Sequence, residues 1–422
     1  MNITIPYGNE KKSFSVPDKY FCEVLSPYEV NVRGNTDEIL NMALDNPIGS
    51  RRIEEIVKDA KTVSIICDDM SRPTPVSLIL PHVLKRLHKA GIRKENIKII
   101  IALGSHRYMT KEELIDKVGK EVYLNYNVLN SEFKKETSLV LMGTAEDGSK
   151  IYATKDAAES DIRIGIGNIV PHPVMGWSGG GKILFPGIAG EKTVALFHIM
   201  GGLNNENLFG MDESPIRHNI ESWVDVIGLD FIINTVLTGD FQIYKAVCGN
   251  YIKAHREGVK FAKEIWGVKT TKKADIMIVS SYPADQDFWQ SGKGLYSAEN
   301  GLKEQGGTII LVSPNYEGIG PHLEFLEFMG DDDAHNKLVK IKDDDSIEGD
   351  RLAISVGTSM AKMRMRREII MVSDGITKEE AGICKIGYYP LSELQKAIDD
   401  SIKKYNNPKV SVITHGGELY VY

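Results

Sequence analysis

Apolar residues along this chain fall into two alternating patterns. Short runs of strand length are apolar almost throughout: TVSIICDD (62–69), IKIIIALGSH (97–106), IRIGIGNIV (162–170) and LDFIINTVLT (229–238). Between them lie segments with helical spacing. Leu80, Val83, Leu84 and Leu87 recur at i, i+3, i+4 and i+7, and Gly91 stands where a C′ glycine belongs. That spacing predicts a helix from about Ser77 to Ala90. Pro73 and Pro75 keep the preceding MSRPTP out of it. Thr110 opens TKEE, a capping-box pattern for the next helix. The alternation resumes with strands ADIMIVSSYP (274–283), TIILVSP (308–314) and REIIMVSDG (367–375). A loop entering a helix covers 285–302, and a helix covers 388–405. Strand, loop and helix in succession predict parallel α/β architecture. In such sheets chemistry gathers at the carboxyl ends of the strands.

The remaining segments complete the prediction. Residues 2–32 read as short strands and turns, and 36–60 as two short helices broken at Asn46-Pro47. A helix runs from Glu191 through His198 to about Met200, followed by a polar stretch (201–219) that reads as a mobile loop. Residues 244–266 read as a long amphipathic helix and the best connector between domains. The apolar end, KVSVITHGGELYVY, is a strand whose HGG turn suggests a hairpin. The expected division is a cofactor-binding domain over 1–265, joined by the strand of 406–422, and a second α/β domain over 274–400 that closes over the site.

Composition narrows the class. A chain of 422 residues exceeds one ordinary core, which favours two domains. A net charge of -7 argues against a nucleic-acid partner. No apolar run approaches the roughly 18 residues of a membrane span, and the N-terminus has no signal-peptide pattern. Cys22, Cys67, Cys248 and Cys384 are scattered, which fits a reducing cytoplasm with neither a disulfide framework nor a zinc site.

Candidate chemistry centres on PHPVMGWSGGGKILFPGIAG (171–190). Ser178, Gly179, Gly180 and Gly181 precede Lys182. Successive glycines allow close approach to the backbone, and free N–H groups there form an anion-binding concavity. The alternative is a glycine turn with a surface lysine. The loop is not a Walker A sequence, because Ile183 follows the lysine. His106, His172 and His198 follow structural signals, and histidine serves both proton transfer and metal ligation. Asp69 and Arg72 bracket the turn after the first long strand. They form a local ion pair, or Arg72 clamps a carboxylate while Asp69 orients a histidine. Gln290 and Lys293 share a helix face, as a solvated helix start or as a second cationic contact to substrate.

Four ordered motifs carry a resemblance across nearly the whole chain: DDMSRPTP (68–75), GSHR (104–107), PHPVMGWSGGGK (171–182) with His198 sixteen residues beyond the lysine, and QSGK (290–293). Together they resemble the nickel-pincer-nucleotide-dependent lactate racemase family. The resemblance implies two α/β domains with parallel-type sheets joined by helical linkers, and an active site in the interdomain cleft. It implies a pyridinium-3-thioamide-5-thiocarboxylate mononucleotide bound covalently to Lys182, with nickel ligated by His198. It implies that His106 and His172 are the acid/base pair, and that Asp69, Arg72, Gln290 and Lys293 are the other polar site positions. Ser178 to Gly181 would cradle the nucleotide phosphate, and cofactor maturation enzymes would be partners.

The implied reaction is racemisation or epimerisation at C2 of a 2-hydroxy acid by proton-coupled hydride transfer. Substrate choice stays open among lactate, malate, aromatic hydroxy acids and sugar acids. Trp177 and Trp289 each narrow the pocket or stack on the cofactor, or both are packing residues. The competing readings are a nicotinamide-dependent dehydrogenase, which lacks its GxGxxG signal here, and a non-catalytic binder of the pincer nucleotide. The sequence leaves oligomeric state undecided.

Overall fold

The continuous apolar runs become inner strands of two six-stranded sheets. The computed structural model describes residues 1–422 apart from Ser105 and residues 344–348, so Ser105 of the GSHR motif lies outside the described residues. The first sheet runs Ile243–Gly249, Phe231–Leu237, Ile162–Asn168, Val63–Asp68, Ile97–Ala102, Asn127–Asn130. It is parallel except for the edge strand Ile243–Gly249. The second sheet runs Gly387–Tyr389, Glu368–Val372, Thr308–Val312, Ile276–Ser280, Val410–Ile413, Phe21–Leu25, all parallel. Ile276–Ser280 and Thr308–Val312 are buried along their whole length. Helices cover both faces of such a sheet, which is why these strands are apolar without alternation. Local signals hold: Thr110 and Glu113 form the reciprocal capping box, and the helix before Gly91 spans Val76–Lys89.

The domain division differs at both ends of the chain. Val410–Ile413 pairs with Ile276–Ser280 and with Phe21–Leu25. The C-terminal strand therefore completes the second sheet, not the first. It forms no hairpin, because Tyr420–Val421 pairs in parallel with Gly267–Val268. The N-terminal hairpin, Asn2–Tyr7 with Glu10–Ser15, packs Ile3, Ile5 and Phe14 against Ile278, Ile310 and Ile398 of that same second domain. Residues 2–25 thus belong with the C-terminal half rather than with 26–265. Parallel pairing joins segments far apart in sequence, and an apolar strand reads the same in either sheet.

Three local expectations also change. Residues 244–266 are not one helix: Ile243–Gly249 is a strand, and the helix is Lys253–Trp266. Residues 201–219 are not an open loop. Leu208 and Phe209 are each 1% exposed, and Pro215 begins a helix that runs to Ile227. The expected helix at 388–405 starts at Leu394, after the strand Gly387–Tyr389 and Pro390. One apolar cluster runs from Ile66 and Phe185 in the first domain to Leu311 and Phe325 in the second, so the cleft has a shared core beneath it.

Candidate active site

The first wall of the cleft is the loop after Val63–Asp68. Lys117 anchors it. Its amine donates to the carbonyls of Asp69 (2.8 Å) and Arg72 (2.9 Å), and it pairs with Asp68 at 2.9 Å. This lysine is 5% exposed and gave no sequence signal beyond a place on a helix. The loop presents Asp69 to His106, which follows the next strand, Ile97–Ala102. His106 Nδ1 lies 2.5 Å from Asp69 Oδ2, and Ser71 Oγ donates to Asp69 Oδ1 at 2.6 Å. Burial disfavours the Asp69 charge, yet His106, Arg72 and Ser71 together hold the carboxyl well below the usual range.

The opposite domain fixes the protons of that pair. Asp287 caps the turn Phe288–Ser291, accepting the Gln290 N–H at 2.7 Å. Lys293 donates to Gln290 Oε1 at 2.6 Å. The Gln290 amide nitrogen is then the donor to His106 Nε2, at 3.0 Å. His106 consequently carries its proton on Nδ1, toward Asp69, and presents a lone pair at Nε2. Gln290 and Lys293 do share one face, and Arg72 makes no ion pair among the described residues. Among the described residues its Nη1 donates to Ser71 alone.

His172 is held differently. It lies in a two-residue ladder, Pro171–His172 against Gly176–Trp177. A tight turn joins them, and Gly176 (φ 74°) fits because a Cβ would lie 1.9 Å from the Met211 carbonyl. His172 Nδ1 accepts the N–H groups of Val174 and Met175, both at 3.2 Å. Its proton therefore sits on Nε2. Burial, then Lys182, Lys293 and Arg72, push the imidazole well below its ordinary value and keep it neutral.

The glycine-lysine loop owes its glycines mainly to packing. Gly180 donates its N–H to Asn234 Oδ1 at 2.8 Å, and a Cβ on it would lie 3.0 Å from the buried His255 ring. A Cβ on Gly181 would lie 2.8 Å from Val224. The Ser178 N–H goes to Val170 O and the Lys182 N–H to Gly179 O. Of the N–H groups over 178–181 expected to cradle a phosphate, those of Ser178 and Gly180 are taken up within the protein, and Ser178 and Gly179 line the cavity. Arg217 holds the carbonyls of Met175 and Trp177, and His255 donates to Ser178 O at 2.8 Å. Trp177 does not reach the cavity. It is fully buried, donates to Gly210 O at 3.0 Å and meets the edge of Tyr420, so its expected cofactor contact is replaced by packing.

One cavity brings the remaining positions together. Asp69, Arg72, His106, His172, Lys182, His198, Trp289, Gln290 and Lys293 all line it. Burial, then Arg72, lowers the Lys182 amine to about 7, and it has no hydrogen-bond or ion-pair partner among the described residues. His198 lies on the helix Glu191–Leu203 with Nδ1 3.0 Å from Val194 O. That bond leaves Nε2 as a free lone pair. Burial pushes the His198 ring down to about 4. Asn168 ends its strand in the same wall, and neither of its amide atoms meets a partner among the described residues. Sequence reasoning missed it, although a polar residue closing an apolar strand at its carboxyl end is a readable signal. Tyr296 and Ser359, 2.7 Å apart, were also missed. Trp289 lines the cavity, and its ring lies 4.5 Å from that of His322 at a 40° tilt.

Fold and site together define a two-domain α/β enzyme whose cleft sets two histidines beside Arg72, Lys182 and Lys293. Residues 7–209 match the family model for the lactate racemase N-terminal domain, and residues 269–421 match that for the lactate racemase C-terminal domain. A lactate racemase from Thermoanaerobacterium thermosaccharolyticum is 31% identical, covering 100% of this chain and 99% of the relative. One from Lactiplantibacillus plantarum is 30% identical, covering 98% of each. The solved lactate racemase apoprotein from T. thermosaccharolyticum superposes with a TM-score of 0.88 over 100% of both chains, at 29% identity. A crystal structure from Thermotoga maritima, 21% identical with a TM-score of 0.66 over 89% of this chain, shares the fold. The chain belongs to the lactate racemase family, and it is an isomerase of the racemase type. No helix among the described residues is long and apolar enough to cross a membrane.

Proposed function

We propose that the protein racemises a 2-hydroxy acid, lactate being the first substrate to test. One observation carries this: two histidines in one cavity with Arg72 and Lys293, one presenting a lone pair at Nε2 and the other an N–H. Arg72 and Lys293 would bind the substrate carboxylate, Arg72 through its planar fork. The C2 hydroxyl would displace the Gln290 amide from His106 Nε2 and give its proton there. Asp69 would carry the imidazolium that results, as a buried carboxylate does behind a catalytic histidine. His172 would donate Nε2–H to the C2 oxygen when charge gathers on it. To act as an acceptor in turn, His172 must release its two backbone N–H donors, so the pair does not divide the work evenly.

The site suits the family's nickel-pincer nucleotide. Among the described residues no three His, Cys, Asp or Glu side chains converge as a metal cage, so a metal at His198 needs a molecule that brings its other ligands. Lys182 would hold that molecule through its amine, which near neutral pH is substantially unprotonated and nucleophilic. Asn168 would offer its free amide. When bound, the group supplies a reversible hydride acceptor for the hydrogen on C2.

The test is co-production with pincer-nucleotide maturation enzymes, then intact mass, nickel analysis and chiral chromatography of lactate. Expected are an adduct on Lys182, its loss in Lys182→Ala, and racemisation in D2O that leaves the C2 hydrogen in place. An unmodified mass beside active maturation enzymes would sink the cofactor assignment. An adduct without turnover on any 2-hydroxy acid would favour a carrier. Tyr296, Ser355 and Ser359 extend the cavity with hydroxyls, which favours including longer hydroxylated acids in the screen.

A further inference from the structure

Glu418 is a buried carboxylic acid that none of these roles uses. Its place is built. In the terminal turn Gly416 donates to Ser280 O at 2.7 Å and Gly417 to Tyr282 O at 3.3 Å, and Ser297 Oγ donates to Leu419 O at 2.5 Å. A Cβ on Gly416 would lie 2.2 Å from Val279, and one on Gly417 would lie 2.6 Å from Ser281 O. The two glycines let the turn press against the carboxyl end of Ile276–Ser280, which carries Glu418 to the boundary between the domains. There it lines a second cavity that shares Arg72, His172, Ser178 and Lys293 with the first. It is 5% exposed, and its Oε2 meets no partner among the described residues. The ionisable groups facing it are Arg72 from the loop after Asp68, Lys293 from the helix Lys293–Gly301, His172 from the small ladder and the Tyr282 phenol beside the turn. The rest of that wall is uncharged among the described residues.

We propose that Glu418 is a positioning residue that takes up a proton when the substrate carboxylate binds Arg72 and Lys293. The inference rests on the carboxylate-binding role given to those two residues above. In the free protein the Glu418 carboxyl, lifted to about 7, is partly ionised near neutral pH and faces the Arg72 guanidinium and the Lys293 amine, which offset part of the cost of burying its charge. A substrate carboxylate on the same two groups brings a second anion into the same dry space. Two carboxylates that share a site do not both stay ionised cheaply. The one to yield is the one with a free oxygen, and that is Glu418. Burial already lifts its carboxyl to about 7 against the pull of Lys293 and Arg72. The step is the addition of one proton from water to the carboxylate, reversed on release.

The test uses the full chain and glycolate, an achiral 2-hydroxy acid that gives no net turnover. Calorimetry near neutral pH in buffers of different ionisation heat counts protons taken up on binding. Wild type is expected to take up a substantial fraction of a proton, with affinity falling by up to about tenfold per pH unit above neutrality. Glu418→Gln is expected to lose the uptake and flatten that slope. The infrared difference spectrum of wild type on binding glycolate is expected to gain the carbonyl stretch of a protonated carboxylic acid, a readout that needs no variant. Unchanged proton uptake in Glu418→Gln, or uptake that disappears only in Lys293→Met, would overturn the proposal. Failure of wild type to bind glycolate would overturn the substrate-site reading, and this inference with it.

Discussion

The two cavity histidines are the same residue in opposite surroundings. His106 has a carboxylate behind Nδ1, and a side-chain amide marks its Nε2 lone pair. His172 has two backbone N–H groups on Nδ1 and lies near the basic side chains of Lys182, Lys293 and Arg72. One is wired to gain a proton, the other to stay neutral and donate a hydrogen bond. Environment rather than residue type sets the role, as in any site where neighbouring groups are pushed apart in proton affinity.

The comparison breaks most sharply at Asp69. Asp69→Asn should lower kcat on the order of 10²- to 10⁴-fold, because an imidazolium at His106 loses its counter-charge and the tautomer loses its guide. Steady-state kinetics on the loaded enzyme checks this. A loss under about threefold would show that His106 does not take the proton. His172 has no such side chain to remove, so its own replacement is the matching test. His172→Gln keeps a donor near the old Nε2 and should retain more activity than His106→Gln, by on the order of tenfold. The two enantiomers have equal free energy, so kcat/KM must stay equal in both directions for every variant. Asymmetry between the histidines is sought in kcat and KM separately. Equal losses in the two Gln variants would erase the distinction.

Much of this site was legible in the sequence because it sits where strands end. Asp69, His106 and His172 each follow an apolar run, and the parallel sheet brings those ends to one edge. Helical spacing put Gln290 and Lys293 on one face, and the resemblance through QSGK made them site candidates. What the sequence could not carry is long-range. Lys117, Asn234, Arg217, His255 and Glu418 reach the site from helices, a strand and a turn chosen by tertiary packing, and no local spacing marks them. The triple glycine is ambiguous for a related reason. A backbone that must be approached closely looks the same whether the visitor is a phosphate or, as at Gly180 and Gly181, a side chain such as His255 or Val224. The C-terminal strand went to the wrong sheet because pairing partners in a parallel sheet have no sequence proximity.

Lys117 sharpens the comparison from the structural side. It supports only the His106 wall, through Asp68 and the carbonyls of Asp69 and Arg72. Lys117→Met strands the buried Asp68 charge and should destabilise by about 3–5 kcal/mol. Adding Asp68→Asn should recover part of that, since the stranded charge is then gone. Chemical denaturation of both variants measures it. Full additivity of the two single changes would show that they do not act as a pair.

The smallest expected effect separates the two walls by pH. His172 is neutral in the fold, its affinity for protons pushed below the ordinary histidine value of about 6.5. The unfolded chain therefore binds more protons below that value, and stability falls as pH drops through it, by at most about 1.4 kcal/mol per pH unit for this group. Asp69 has the opposite sign. Its carboxyl is held low, so the stability it contributes is complete above the ordinary carboxylate value of about 4 and is lost only as pH falls beneath it. Between about 6.5 and 4 the His172 wall should thus weaken while the Asp69–His106 wall holds. Denaturation midpoints across that window should show a shallower decline in His172→Gln than in wild type, and no shallower a decline in Asp69→Asn. His198, His255 and His415 are also held low and would keep part of the slope in every variant, so the difference between variants carries the result. A wild-type slope in His172→Gln would mean that the His172 imidazole is already charged in the fold, and the contrast between the two histidines would fail.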